Sequence, residues 1–277
     1  MFKNENEYYR VEICDPFLEK LLNSKDFGSV ETVKPDEERI RVRFGWYPQS
    51  KVNDKVLVAK LLVTGGIKEI ISNPTAIKEK CHRLKKGYYI DVDYGGDKYR
   101  AIISFEEKAF SVSCFKFEPI EWTVYSNVRD TYSIIPDKIL DCVPFNESGF
   151  DILNVGFLNC SVRKWLNNVF FADAFNSDFS KYVMHVTSNL ADDKGNSTYY
   201  DKVDLLPIEE YEAIPSLGST DYAQAMGVGI FPEMTRNVKD QFVLGANSEN
   251  YPKTLPIGIR PAIRITKIAG AMYKYES

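Results

Sequence analysis

The stretch Tyr88-Tyr-Ile-Asp-Val-Asp-Tyr-Gly-Gly-Asp-Lys-Tyr-Arg-Ala-Ile-Ile-Ser104 decides the fold class. Apolar and polar residues alternate on both sides of Tyr94-Gly-Gly-Asp97, as they do in strands, where successive side chains point to opposite faces. The central glycines supply the positive φ angles of a tight hairpin. Strands over Tyr88 to Asp93 and Lys98 to Ser104 are therefore predicted. Upstream, Ile40-Arg-Val-Arg-Phe44 alternates strictly and runs into the aromatic turn Gly45-Trp-Tyr-Pro-Gln-Ser50. Downstream, Ala109 to Phe117 alternates with one phase slip at Cys114-Phe115, which predicts a β-bulge. Ile120, Trp122 and Val124 alternate again, and further strands are expected at Tyr132 to Ile135 and Ile139 to Val143. Ile257 to Thr266 closes the chain as a single strand.

Helical spacing interrupts this pattern. Asp15 as N-cap, Pro16, and the stripe Phe17, Leu18, Leu21, Leu22 predict a helix after a short strand at Tyr8 to Cys14. Lys34-Pro-Asp-Glu-Glu38 reads as a linker. Between Val56 and Gly87 the periodicity is helical, with a fresh start at Asn73-Pro74 and a stop at Gly87. Val162, Trp165, Leu166, Val169, Phe170 and Ala174 form the longest apolar stripe, behind Ser161 as cap. Shorter helices are expected at Pro207 to Ala213 and at Thr220 to Met226, the latter between a Ser219 N-cap and a Gly227 stop. The last third is rich in Gly, Asn and Pro, and Phe231 to Asn250 reads as irregular loop.

Composition narrows the function classes. The 277 residues carry a net charge of −4, with 44% apolar and 27% charged residues. Such a balance offers no global attraction to phosphate backbones or anionic lipid, and Lys78 to Lys86 reads as a solvated helix face, so no nucleic-acid partner is expected. No run approaches the roughly 18 apolar residues of a membrane-spanning helix. The start of the chain shows no secretory signal. The five cysteines are widely spaced, with no CxxC pair, and read as reduced, mostly buried thiols of a cytoplasmic protein. The only histidines are His82 and His185. Too few remain for a Ser-His or Cys-His pair, and no Gly-x-Ser-x-Gly elbow, phosphate loop or calcium-loop spacing is present. Neither metal nor cofactor is expected.

Seven motifs occur in a distinctive order: Phe44-Gly-Trp-Tyr-Pro-Gln-Ser50, Glu118-Pro-Ile-Glu-Trp122, Lys138-Ile-Leu-Asp-Cys142, Arg163-Lys-Trp-Leu-Asn167, Leu205-Leu-Pro-Ile-Glu-Glu210, Thr220-Asp-Tyr-Ala223 and Gly258-Ile-Arg-Pro-Ala262. Over residues 40 to 268 the chain resembles a bacterial family of unknown function, number six-two-seven-three in the domain-of-unknown-function series. That family is distantly similar to C-type-lectin-like domains and formylglycine-generating enzymes. The resemblance implies an α+β fold of C-type-lectin-like architecture: twisted antiparallel strands, a few helices and long C-terminal loops. It divides the chain into an N-terminal extension, 1–38, and a domain, 39–277, with a helical insert at about 53–87. Two departures stand out: Glu233-Met-Thr-Arg236 replaces the family's paired tryptophans before an Arg, and the insert is long. Formylglycine-type oxidation needs cysteines in the C-terminal part, and none follows Cys160.

The expected function is non-catalytic recognition of a protein or small molecule through the C-terminal loops. An enzyme of unassigned chemistry on the same scaffold is the rival reading, and a component of a phage or host-defence system the third. Arg236, Glu233 and Asn237 in the loop, with Arg163 and Asn167 off the apolar stripe of their helix, are the candidate binding residues. Trp122 and Trp165 are expected in the core. Arg260, flanked by apolar residues, is expected in a structural salt bridge, with Asp221 as the candidate partner.

Overall fold

The longest strand organises everything else. The computed structural model describes residues 41–84, 87–106, 109–128, 131–147, 155–175, 186–192, 195–211, 214, 216–228, 233–239 and 242–266. The expected N-terminal extension therefore lies outside the described residues. Strand β5 (Ala109–Val128) pairs antiparallel with β4 (Asp97–Glu106) along its first half, and with β6 (Thr131–Pro136) along its second. Strand β1 (Arg41–Lys51) pairs with its middle. Phe115 is matched with both Lys51 and Arg100, and Trp122 with both Val42 and Pro136. Each strand has two edges, so β1 takes one while β4 and β6 share the other in succession. Strand β3 (Gly87–Tyr94) and the short β2 (His82–Leu84) extend the sheet on one side. On the other, β15 (Ala262–Thr266) lies between β6 and β10 (Val203–Asp204).

The predicted hairpin is present: β3 and β4 flank Gly95-Gly96, whose φ angles are 65° and 88°. The predicted bulge at Cys114-Phe115 is not. The register of β4 on β5 runs unbroken from Tyr99–Lys116 to Glu106–Ala109. Both residues are buried because the sheet is covered on both faces. Cys114 packs with Leu61, Ile67, Val92 and Ile103 under the helices, while Phe115 belongs to the main core with Trp122, Ile134, Leu166, Phe170 and Ile257. Consecutive apolar residues in a strand buried on both faces need no irregularity.

Helices α1 (Lys55–Thr64), α2 (Ile67–Ser72) and α3 (Pro74–Lys80) fall within residues 53–87, and the helical stretch ends at Lys80 rather than at Gly87, since His82–Leu84 is strand β2. Asp54 and Asn73 accept backbone N–H groups at the starts of α1 and α3, which satisfies donors a helix cannot satisfy itself. The main core is closed from its other side by α4 (Ser161–Trp165), which continues through a π-helical turn, Leu166–Phe170, into α5 (Phe171–Ala174). The wider turn sets the buried positions at every fourth residue, Val162, Leu166, Phe170 and Ala174. Val169, predicted on the apolar stripe, is thereby rotated to 42% exposure.

Three further differences have simple causes. The closing segment is two strands rather than one. Strand β14 (Pro256–Ile259) pairs with β7 (Asp141–Pro144), and β15 joins the large sheet. Pro261, which lacks a backbone donor, stands at the crossing between them. The expected loop region carries β11 (Met234–Lys239) and β12 (Phe242–Gly245), which with β13 (Asn250–Pro252) make a three-stranded antiparallel sheet. Met234, Thr235 and Val243 are fully buried there, which holds the segment to the core despite its polar composition. Helix α6 (Ile208–Tyr211) starts after Pro207 rather than at it, and α7 (Asp221–Met226) is capped by Thr220 rather than Ser219. A hairpin of β8 (Val186–Asp192) and β9 (Gly195–Asp201) completes a mixed α+β architecture with mostly antiparallel strands. Among the described residues no helix is long and apolar enough to cross a membrane.

Candidate functional site

The residues expected to bind a ligand are engaged with the protein itself. Glu233 is buried and accepts from Arg260 Nη1 at 2.9 Å. Arg260 also donates to the carbonyls of Pro136 and Ile214, both at 2.8 Å, and is 1% exposed. Arg260 thus forms a buried ion pair with Glu233 rather than with Asp221. Asp221 instead accepts the backbone N–H of Lys51 at 2.9 Å, since its position in the first turn of α7 faces β1. Arg236 donates to Asp204 at 3.2 Å, and Asn237 accepts the N–H of Ile208 at 3.0 Å. These two contacts tie β11 to β10 and α6.

Arg163 and Asn167 likewise face inward. Arg163 forks onto both carboxylate oxygens of Asp201, at 2.5 and 2.8 Å, and reaches the carbonyl of Leu158. Asn167 accepts from the N–H groups of Lys202 and Val203, at 2.7 and 3.0 Å, and donates to the carbonyl of Val203. Both therefore fasten the end of β9 to the long helix. Trp122 is fully buried, and Trp165 packs half-buried against the core.

The open polar site lies elsewhere, on the β1–β5 ribbon. Gly45 has φ 66°, and the register slips between Phe44 and Trp46 and again between Pro48 and Ser50. A glycine in the left-handed region is what a bulge of this kind requires. A Cβ at Gly45 would lie 2.6 Å from the Phe175 ring, so the position is closed to other residues on two counts. The bulge turns Trp46 outward, 46% exposed, while Tyr47 enters the core.

Trp46 stands at a cleft of about 540 Å³ whose walls include Gln49, Glu118, Glu121, Asp97 and Lys138. Its polar groups are held in place. Gln49 Nε2 donates to the carbonyls of Glu118 and Pro119, both at 3.0 Å, which fixes the amide and leaves Oε1 without a partner among the described residues. Glu118 accepts from the N–H and hydroxyl of Ser50. Arg43 pairs with Glu121, and Lys116 with Asp97 at 2.9 Å. The Lys116 ammonium holds the Asp97 carboxyl below its ordinary value. Lys138 is exposed and has no side-chain partner among the described residues. Beneath the cleft, Asp137 accepts from the hydroxyl of buried Thr123.

Three of the seven motifs, those beginning at Phe44, Glu118 and Lys138, line this cleft. The sequence marked them, but it contained no measure of which aromatic in Gly45-Trp-Tyr-Pro faces solvent. Gly45 was the available clue. Among the described residues no group of three His, Cys, Asp or Glu side chains is placed to hold a metal ion. His82 stacks on Tyr89, its ring centroid 4.8 Å away, and His185 lies outside the described residues. Comparison with family models, with curated proteins and with solved structures returned no match.

Proposed function

We propose that this protein is a recognition module of α+β, C-type-lectin-like architecture. In this reading it is a member of the family of unknown function to which its seven ordered motifs point, and its binding site is the Trp46 cleft rather than the C-terminal loops. One observation carries the reading: a large exposed indole beside polar side chains already fixed by internal hydrogen bonds. An indole presents a flat apolar face, and covering it with a ligand's apolar face removes apolar surface from water. Pre-ordered donors and acceptors bind with little further loss of side-chain entropy. The matching ligand has one flat or apolar face for Trp46 and hydrogen-bonding groups for Gln49 Oε1 and Lys138. The wall carboxylates of Glu121 and Asp97 are each paired with a cation, and Glu118 is held by Ser50. Their oxygens are thereby fixed in place as hydrogen-bond acceptors.

Indole fluorescence tests this: Trp122 is buried and Trp165 is half-buried away from this cleft, so the part of the signal that differs between the parent and Trp46→Ala reports on it. Methyl glycosides, nucleosides and aromatic amino acids, each titrated to millimolar concentration, should include one class that quenches saturably. Trp46→Ala should abolish the response with less than about 0.5 kcal/mol change in stability, as at other exposed positions. Equal binding by that variant would remove the cleft from consideration. Turnover of the bound probe would replace recognition with catalysis.

A further inference from the structure

A second cleft, of about 380 Å³, shares no residue with the first. Six elements converge on it, β2, β4, β7, β14, α4 and α7, contributing among others Val143, Trp165 and Met226. Most of the lining is aliphatic or aromatic, and the volume sits at the lower end of the roughly 300–1,000 Å³ of small-molecule sites. Two groups of opposite charge, Arg83 and Glu147, complete it. Both are exposed, and neither side chain has a partner among the described residues. Glu147 is also anchored at its base: its N–H donates to Ser161 Oγ at 2.7 Å, and the N–H of the preceding Asn146 donates to the carbonyl of Lys253 at 2.9 Å.

We infer that this cleft binds a small zwitterion with an apolar body, of the class of hydrophobic dipeptides, its carboxylate on Arg83 and its ammonium on Glu147. An apolar carboxylate alone would leave Glu147 facing its tail, and an apolar amine would leave Arg83 so placed. Only a ligand with both charges answers both groups while its side chains cover Trp165, Met226 and Val143. Apolar contacts in the lining supply affinity, and the two rim charges supply selection.

Calorimetric titration of the whole protein with leucyl-leucine, hexanoate and hexylamine tests the assignment. Leucyl-leucine is expected to bind with one-to-one stoichiometry and more tightly than either singly charged probe. Arg83→Gln and Glu147→Gln should each weaken it about fivefold, the scale of an exposed ion pair. N-acetyl-leucyl-leucine, which lacks the ammonium, should respond to Arg83→Gln but not to Glu147→Gln. Both substitutions are at exposed positions, so folding is preserved, and Trp46→Ala should leave this binding unchanged. Hexanoate or hexylamine binding as tightly as the dipeptide would overturn the zwitterion assignment. Absence of binding by all three, or dipeptide affinity indifferent to both substitutions, would overturn the site.

Discussion

Single buried charges show how closely side chains are specified. Arg260 has three acceptors, one of them the buried carboxylate of Glu233. Glu233→Ala would leave a guanidinium 1% exposed without its counter-charge, so a loss of about 3–5 kcal/mol is expected in urea unfolding. A loss below 1 kcal/mol would mean that the two carbonyls suffice. Arg100 is similarly enclosed, between Asp91 at 2.8 Å, Asp173 at 2.9 Å and the face of Tyr89 at 4.0 Å. Burial pushes the Asp91 carboxyl up, but Arg100 and Lys98 outweigh it and hold the group below its ordinary value. Asp141 is the opposite case. Burial raises it above the ordinary 3.8, against the hydrogen bonds from Tyr47 and the Cys142 N–H that favour the charged form. The stability its proton contributes is therefore complete below that ordinary value and is lost as pH rises through the folded one. Asp141→Asn carries no such loss. Its unfolding free energy relative to the parent should increase as the pH rises above about 4. Parallel pH profiles for the two proteins would contradict a raised Asp141.

At the scale of elements, periodicity was legible and its context was not. The hairpin β3–β4 could be read because glycine pairs and alternation are local signals. The Cys114-Phe115 slip could not be interpreted locally, since a bulge and burial on both faces leave the same mark in sequence. Structure distinguishes them through the unbroken register of β4 on β5. The polar run from Phe231 to Asn250 was read as loop because β11 and β12 are anchored by few apolar side chains, among them Met234 and Val243. The site suffered the same ambiguity: Arg236 and Glu233 are polar in sequence yet used for internal pairing, whereas Trp46 is apolar in sequence yet faces outward. Gly87, a helix stop by its sequence context, instead opens β3 with φ 149°. A Cβ there would lie 2.2 Å from the carbonyl oxygen of Ile103. Backbone against backbone cannot yield as a flexible side chain can, so Gly87→Ala should cost about 3 kcal/mol, measured by thermal or urea unfolding. A change under 0.5 kcal/mol would show that the β2–β3 edge shifts freely.

Among the described residues the eight-stranded sheet lies between two unequal apolar layers. The larger core ties β5, β6, β14 and β15 to the α4–α5 helix and includes the fully buried Trp122, Phe115 and Phe145. The smaller layer holds α1 and α2 to β3, β4 and β5 through Leu61, Ile67, Val92, Tyr99 and Ile103. Within α1 only Leu61 is fully buried, while Val56 and Val63 are 64% and 71% exposed. A helix docked through so few buried contacts opens without requiring the rest of the protein to unfold. Leu61→Ala removes the central contact, a change that costs about 2–5 kcal/mol in a packed interior. That cost should fall on the helical layer: amide hydrogen exchange should accelerate throughout α1–α3 and remain unchanged in the second half of β5, in β6 and in β15. Uniform acceleration across all strands would show that both layers belong to one cooperative unit. The Trp46 cleft lies on the β1–β5 ribbon, so its ligand affinity should survive Leu61→Ala even as the helical layer loosens.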